Sequence, residues 1–495
     1  MTRRSRKGLA TGALVMALGL GGFVVIPQAQ AAPITVNSCT DLVVTLSAAD
    51  TGSRRDLVLD QNFADEVSAA PCTALYAGTD DVVIDGSGVV LNYPNGGYAL
   101  DLASSSSGTL TLQGFTVTGK PDVVQVGMGA VNLGDGKWQV LDSTFTDIAG
   151  IALKVVGAGD ITISNSIFSD NAEGGSGGVA RALWIQGAMS SVIVRSTFSA
   201  NTAGAVEYQH TRGTSATDKV THLVDHSNFT GNTLTYSGPV NDGCGFDAVQ
   251  RGAALHLQCA SNVELKVSYS VFSGNRAVST LSGSRANSRV DGGAIAVNSG
   301  SSANVENIEV LIQDSFFHQN FAQDDGGAIL IEGALNVTRI KSQIVNSTFV
   351  ENSVAGAQYG AAIFWITDGA GGAVNYYGMT ESEITHSMFY GNSISGTLVG
   401  TGTSFGSVGG GGAVAVETAE WIADSSALPP VPVLSNNIFI ANTVANVALQ
   451  SAINSINVVT GNALGNAHER VNTGNVFVMP ATDADIQGAT GPAFG

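Results

Sequence analysis

The chain has 495 residues, 62 of them glycine, and 40 acidic against 21 basic residues give a net charge of −19. Charged residues make up 12% and hydrophobic residues 44%, which supplies a large core and excludes a disordered polymer. The acidic balance also excludes nucleic acid and anionic membrane surfaces as partners, because both need Lys/Arg patches.

In chain order, the first element is a targeting segment. Arg3, Arg4, Arg6 and Lys7 precede an apolar run from Leu9 to Ile26, and Ala29-Gln30-Ala31 is a small-x-small cleavage site. This pattern predicts a signal peptide over residues 1–31 and an extracellular protein, secreted or loosely held at the cell surface. No second apolar span of membrane length follows, so no membrane span is expected after cleavage. The four cysteines, Cys39, Cys72, Cys244 and Cys259, suggest two disulfides in an exported chain. Of the three connectivities, Cys39–Cys72 with Cys244–Cys259 is the simplest. No pair has CxxC spacing, and neither a metal nor another cofactor is expected. Residues 32–79 read as an N-terminal cap, with an amphipathic capping element from Cys39 to Leu46. An open solenoid end would otherwise expose strand edges.

Nine repeats then follow, centred on Phe145, Phe168, Phe198, Phe229, Phe272, Phe317, Phe349, Phe389 and Phe439. Two residues before each Phe stands Ser, or Asn437 in the last copy. Five before stands Val, Ile or Leu, and three after stands Asn in every copy except the first, which has Ile148. The spacing between phenylalanines runs from 23 to 50 residues, the period of a solenoid whose coils carry insertions. Period-two runs such as Ile161-Thr162-Ile163 and the Gly, Asn and β-branched content exclude helical repeats. A second motif, Gly-Ala-apolar, precedes most Phe segments, as in Gly293-Ala294-Ile295, Gly327-Ala328-Ile329 and Gly412-Ala413-Val414. The phenylalanines are expected to stack in one buried column and the asparagines to ladder their amides from coil to coil.

These paired Gly-Gly-Ala-[Ile/Val] and Phe-x-x-Asn motifs resemble the repeats of polymorphic outer-membrane-protein passenger domains. The segment Asp80–Gly88 is similar to an early coil of pectate-lyase-like proteins. The resemblance implies an all-β chain: a right-handed parallel β-helix of about a dozen coils over residues 80–480, with a tail at 481–495. The outer-membrane relatives continue into a C-terminal β-barrel, and no alternating ten-residue barrel strands precede Gly495. Members of such families include adhesins, surface proteins and polysaccharide-degrading enzymes.

Alignment on the Gly-Ala motif places one outward residue per coil in a row: Lys154, Trp184, Glu207, His256, Ala296, Leu330, Phe364 and Ala415. Two residues further on, Gln186, Gln209, Gln258 and Asn298 form an amide ladder, with Ile366 later in the same column. Trp suits stacking on a sugar ring and amides suit hydroxyls. Glu207 and His256 are the candidate acid and base. The binding candidates are Lys154, Trp184, Gln186, Gln209, Gln258 and Asn298, and the bland reading is a solvated sheet face. Insertions before Ala254, Ala294 and Ala413 are expected to gather at one corner and wall a groove. The stretch from Glu207 to His226 is rich in titratable groups, with His210, Arg212, Asp218, Lys219, His222, Asp225 and His226. It reads as a polar loop, with His222 and His226 on one face of any strand there. The leading expectation is an adhesin-like protein binding an extracellular glycan or a surface protein. An extracellular polysaccharide lyase or glycoside hydrolase and a structural rod of the cell envelope are the other two readings.

Overall fold

The column of aromatic rings at the centre of the repeat sets the architecture. In a computed structural model of the chain, each Phe pairs in parallel register with the Phe of the next coil, from Phe145↔Phe168 to Phe389↔Phe439. Successive ring centroids lie 4.7–4.9 Å apart, and every ring is buried. That separation is the spacing of neighbouring strands, so the stack follows directly from parallel pairing of identical residues. The structure describes residues 32–92, 98–104, 107–119, 129–172, 181–210, 219–236, 251–260, 262–280, 290–299, 306–323, 326–332, 338–355, 374–377, 379–394, 413–418, 433–444, 456–460 and 476–478.

The chain is a right-handed parallel β-helix. Each full coil contributes a first strand after the Gly-Ala motif, a second strand carrying the aliphatic residue, and a short Phe strand. The first and second strands belong to one 23-stranded sheet, and the Phe strands to a 12-stranded sheet. The two halves of the larger sheet are joined where Ile151–Ser164 and Leu183–Val194 run on without a break. Six coils add a short strand after the Asn turn, such as Thr233–Tyr236, in a third sheet.

Two polar ladders lock the turns on either side of the Phe strand. In one, the backbone N–H of each Ser donates to the hydroxyl of the Ser in the next coil, as in Ser270 to Ser315 and Ser315 to Ser347. At the end of the column Asn437 Oδ1 takes the hydroxyl's place and accepts from Ser387 N–H at 2.9 Å. In the other ladder, Asn320 donates Nδ2–H to Asn352 Oδ1 and to the Phe272 carbonyl, both at 2.9 Å, and its N–H to the same Oδ1 at 3.2 Å or less. Buried amides are thus fully partnered, which removes the penalty they would otherwise carry. The residue three before Phe and the residue two after it adopt positive φ, for example Asn165 at 50° and Asp170 at 56°. Asn and Asp tolerate that region best among residues with side chains.

The N-terminal region carries two helices and also joins the solenoid. Helix α1 (Cys39–Ser47) begins at Ser38, whose side chain accepts from Asp41 N–H, and buries Leu42 and Leu46. Helix α2 (Gln61–Ala69) is capped by Asp60 and buries Phe63, Ala64 and Val67. The expected capping element at Cys39 is therefore a helix, and a second one follows it. Strands between them are already in register with the coils, with Leu57 opposite Ile84 and Cys72 opposite Leu100. The Cys39–Cys72 disulfide, with Cα atoms 5.5 Å apart, ties α1 to that first-strand column. At the other end a tenth phenylalanine, Phe477, pairs with Phe439. It carries Asn475 two residues earlier but Pro480 where the repeat has Asn, which is why the repeat pattern passes over it.

Some expectations fall outside the described residues: the signal peptide, Cys244 and the side chain of Cys259, Phe364, Ile366, Arg212 and Asp218. The idea of a single insertion corner needs correction. Connecting segments also interrupt the coil after the first strand, between Gln209 and Val220 and between Thr418 and Val433.

Candidate functional site

The row on the first strands is real as a register. Lys154 stands opposite Trp184, Trp184 opposite Glu207, and Glu207 opposite His256. His256 is followed by Ala296, Leu330 and Asn375. Asn375, from a coil whose first strand is Val374–Tyr377, thus holds the place expected for Phe364. The row also extends backwards to Asn132 and Asp101. The Gly129-Ala130-Val131 motif before Asn132 was the available signal for that extension. In the neighbouring column Gln186, Gln209 and Gln258 are in register.

Burial divides this row in two. Asp101, Asn132, Lys154, Trp184, Gln186 and Gln209 are half-exposed. Glu207 and His256 are each only 1% exposed, and Gln258 and Asn298 are 3% exposed. Alternation alone predicted that all of them would face solvent. The difference is explained by a residue that the repeat pattern does not mark, Arg181. Its guanidinium is fully buried and lies over Glu207, with Nε donating to Oε2 at 2.8 Å. Its other nitrogens donate to the Gly252 and Arg251 carbonyls at 2.9 Å. Gly204, at φ +83°, makes the room, since a Cβ there would stand 2.1 Å from Arg181 Nη1. The sequence trace of the buried arginine is Arg181 itself, standing in Arg181-Ala182-Leu183 where the next coil has Gly204-Ala205-Val206.

The network continues along the row. His256 Nδ1 lies 3.6 Å from Glu207 Oε2, and His256 Nε2 is 2.8 Å from Asn298 Oδ1. A second buried pair, Arg251 Nε to Asp291 Oδ2 at 2.9 Å, sits in the neighbouring turns. Burial opposes ionisation of Glu207, but Arg181 and His256 outweigh it and hold the carboxyl at about 2. Burial also draws Arg181 below its usual value, against the pull of Glu207. Arginine stays protonated regardless, so the pair is ionised at neutral pH. A carboxylate so paired is a poor proton donor, and its Oε2 is already engaged.

The half-exposed part has different chemistry. The Lys154 ammonium lies 5.5 Å from the centre of the Trp184 ring, a cation–π contact. Burial lowers the lysine, with Asp101 opposing the shift, and burial raises Asp101. The Trp184 Nε1–H is buried and has no hydrogen-bond partner among the described residues. Indole, ammonium and side-chain amides thus lie side by side on a parallel sheet.

The titratable stretch after Glu207 separates into unlike parts. His222 points into the coil, whereas His226 lies beyond the strand at positive φ, is exposed, and contacts Asp225 at 2.8 Å. The two histidines therefore do not share a face. Lys219 reaches Glu264 of the next coil at 3.4 Å and Glu309 of the coil beyond it at 2.8 Å. Among the described residues no group of three or more His, Cys, Asp and Glu side chains is placed to hold a metal ion.

No protein-family model and no curated protein matches the chain. Solved structures similar to it include the following two. One is the catalytic unit of a thermostable GH87 α-1,3-glucanase from Streptomyces thermodiastaticus, at 11% identity and a TM-score of 0.41, covering 92% of this chain and 71% of that one. The other is a PL6 family polysaccharide lyase from Pseudopedobacter saltans, at 11% identity and a TM-score of 0.31, covering 91% and 93%. The β-helix assignment stands on the strand register above, and nothing about the row is taken from these likenesses. No helix among the described residues is long and apolar enough to cross a membrane.

Proposed function

We propose that the chain is an exported, adhesin-like β-helical protein that binds a glycan on the half-exposed segment of its first-strand row. The observation that carries this reading is Trp184. Its indole is half-exposed on a parallel sheet, with Lys154 against the ring and with Gln186 and Gln209 in the next column. An apolar ring face bordered by fixed amides is the pattern that recognises a sugar, whose faces are apolar and whose rim is hydroxylated. Glu207 and His256 serve this surface as its scaffold. The ionised Arg181–Glu207 pair is buried, with every guanidinium nitrogen engaged, which favours binding over turnover.

A glycan array with the mature protein tests the reading, followed by titration of any hit against Trp184→Ala. The variant should bind at least ~10-fold more weakly, the equivalent of ~1.4 kcal/mol, with no new reducing ends released by either protein. Equal affinity of the two proteins for every hit would remove the site. Release of oligosaccharides by the wild type that is lost in Glu207→Gln would replace binding with catalysis.

A further inference from the structure

Behind Glu207, on the inner face of the same strand, lies a cluster that the binding reading does not use. Tyr208 and His222 are buried, and their rings stack with centroids 3.9 Å apart. Ser191, from the preceding coil, places its Oγ 2.9 Å from His222 Nδ1. On the other side of the ring, His222 Nε2 faces His210 Nε2 at 3.1 Å. His210 stands where the chain leaves the first strand, and His222 lies in the second strand, Val220–Asp225. This contact therefore bridges the corner of one coil. In the two preceding coils the residue three after the row is Gly157 or Gly187, so the imidazole of His210 is peculiar to this coil.

Two Nε2 atoms at this distance share one hydrogen. One ring must donate and the other must offer a lone pair, so at least one is neutral. Protonation of both puts two N–H groups and two positive charges head to head in the interior. We propose that the His210–His222 pair is an acid-sensitive latch that closes this corner at neutral pH and releases it on acidification. The groups facing the pair from the packed strands do not rescue the charge. Ser191 is neutral, burial raises the Tyr208 phenol well above its ordinary value, and Leu265 stands in register with His222. Glu207 points to the opposite face and is engaged by Arg181. Burial holds His210 at about 4, and burial with the neighbouring imidazole holds His222 well below its ordinary value.

The direction follows. Both folded-state values lie below the ordinary value of about 6.5. The stabilisation is complete above that pH and is lost as the pH falls towards about 4. In that window the unfolding equilibrium constant, local or global, should rise by about tenfold per pH unit for each imidazole that takes up a proton. The affected amides should be those of the corner, including His210 N–H, which donates to the Gln258 carbonyl.

The test combines hydrogen exchange of the wild-type protein between pH 7 and pH 4 with NMR titration of its imidazoles. Exchange rates are corrected for intrinsic pH dependence. The latch requires faster exchange at His210 and along Val220–Asp225 than in the Phe column, with both rings titrating below pH 5. Titration of either ring near 6.5, or uniform exchange, overturns it. The variant His210→Gln/His222→Gln should lose the pH dependence in this window, and retention of the wild-type dependence also overturns the proposal. If the variant does not fold, the wild-type titration still decides. A zinc-dependent rise in Tm at neutral pH that either substitution abolishes would replace the latch with a metal-binding pair.

Discussion

The inner Phe column and the outer first-strand row are built on the same coils, yet they obey opposite rules. In the column every coil from Phe145 to Phe439 repeats the same residue, and contacts recur at 4.7–4.9 Å with interplanar angles of 9° or less. In the row each coil places a different side chain at the same position: Asp101, Asn132, Lys154, Trp184, Glu207 and His256. Repetition gives the scaffold its register. Variation on that fixed register gives neighbouring side chains unlike chemistry at a set spacing, which is what a recognition surface requires.

The comparison can be broken from the column side first. Phe317→Ala should cost ~3–5 kcal/mol by leaving a cavity between two stacked rings, measured by chemical denaturation. Breaking the row at its buried pair should cost about as much for a different reason. Arg181→Met leaves Glu207 buried with only His256 beside it, a loss of ~3–5 kcal/mol, whereas Arg181→Met with Glu207→Gln should recover much of it. The same pair predicts acid behaviour. The folded-state value of Glu207, about 2, lies below the ordinary 4.5. Its contribution is therefore present above 4.5 and lost as the pH falls towards 2. Glu207→Gln should flatten the stability profile in that range, below the window of the histidine pair. Asn320→Ala removes two donated bonds and strands the partners, and ~1–3 kcal/mol is expected. The smallest effect on stability is expected at Trp184→Ala, under ~1 kcal/mol for a half-exposed ring, while glycan affinity falls. A large loss of stability there would show that Trp184 belongs to the scaffold.

Much of the column was legible in the sequence because its residues recur: Phe, the Ser two before it, the aliphatic residue five before it, and the Asn three after it. The positive-φ positions escaped notice because that conformation tolerates several residue types. Asp142, Asn165, Arg195, His226 and Tyr269 all adopt it at the equivalent place. The row's register was legible from the Gly-Ala motif, but its burial was not. Arg181 stands where the motif of other coils has glycine or alanine, in Arg181-Ala182-Leu183 against Gly204-Ala205-Val206, so its coil drops out of the Gly-Ala pattern. The inward pair of His210 and His222 was hidden for a related reason. Two histidines twelve residues apart look like members of a polar loop until the corner of the coil brings their ring nitrogens together.

The asparagine ladder also carries a direction. Each amide nitrogen donates towards the next coil's Oδ1, from Asn171 through to Asn392, and never the reverse. Every rung therefore presents the same acceptor to the rung before it and the same donors to the rung after it. Such rungs are interchangeable at their boundaries. A gene that duplicates or excises one whole Phe-to-Phe unit rejoins matching ends, and the ladder closes over the junction. Length in this protein can change by inheritance in whole coils while the surrounding hydrogen bonds stay as they are, and the outer row gains or loses one position each time.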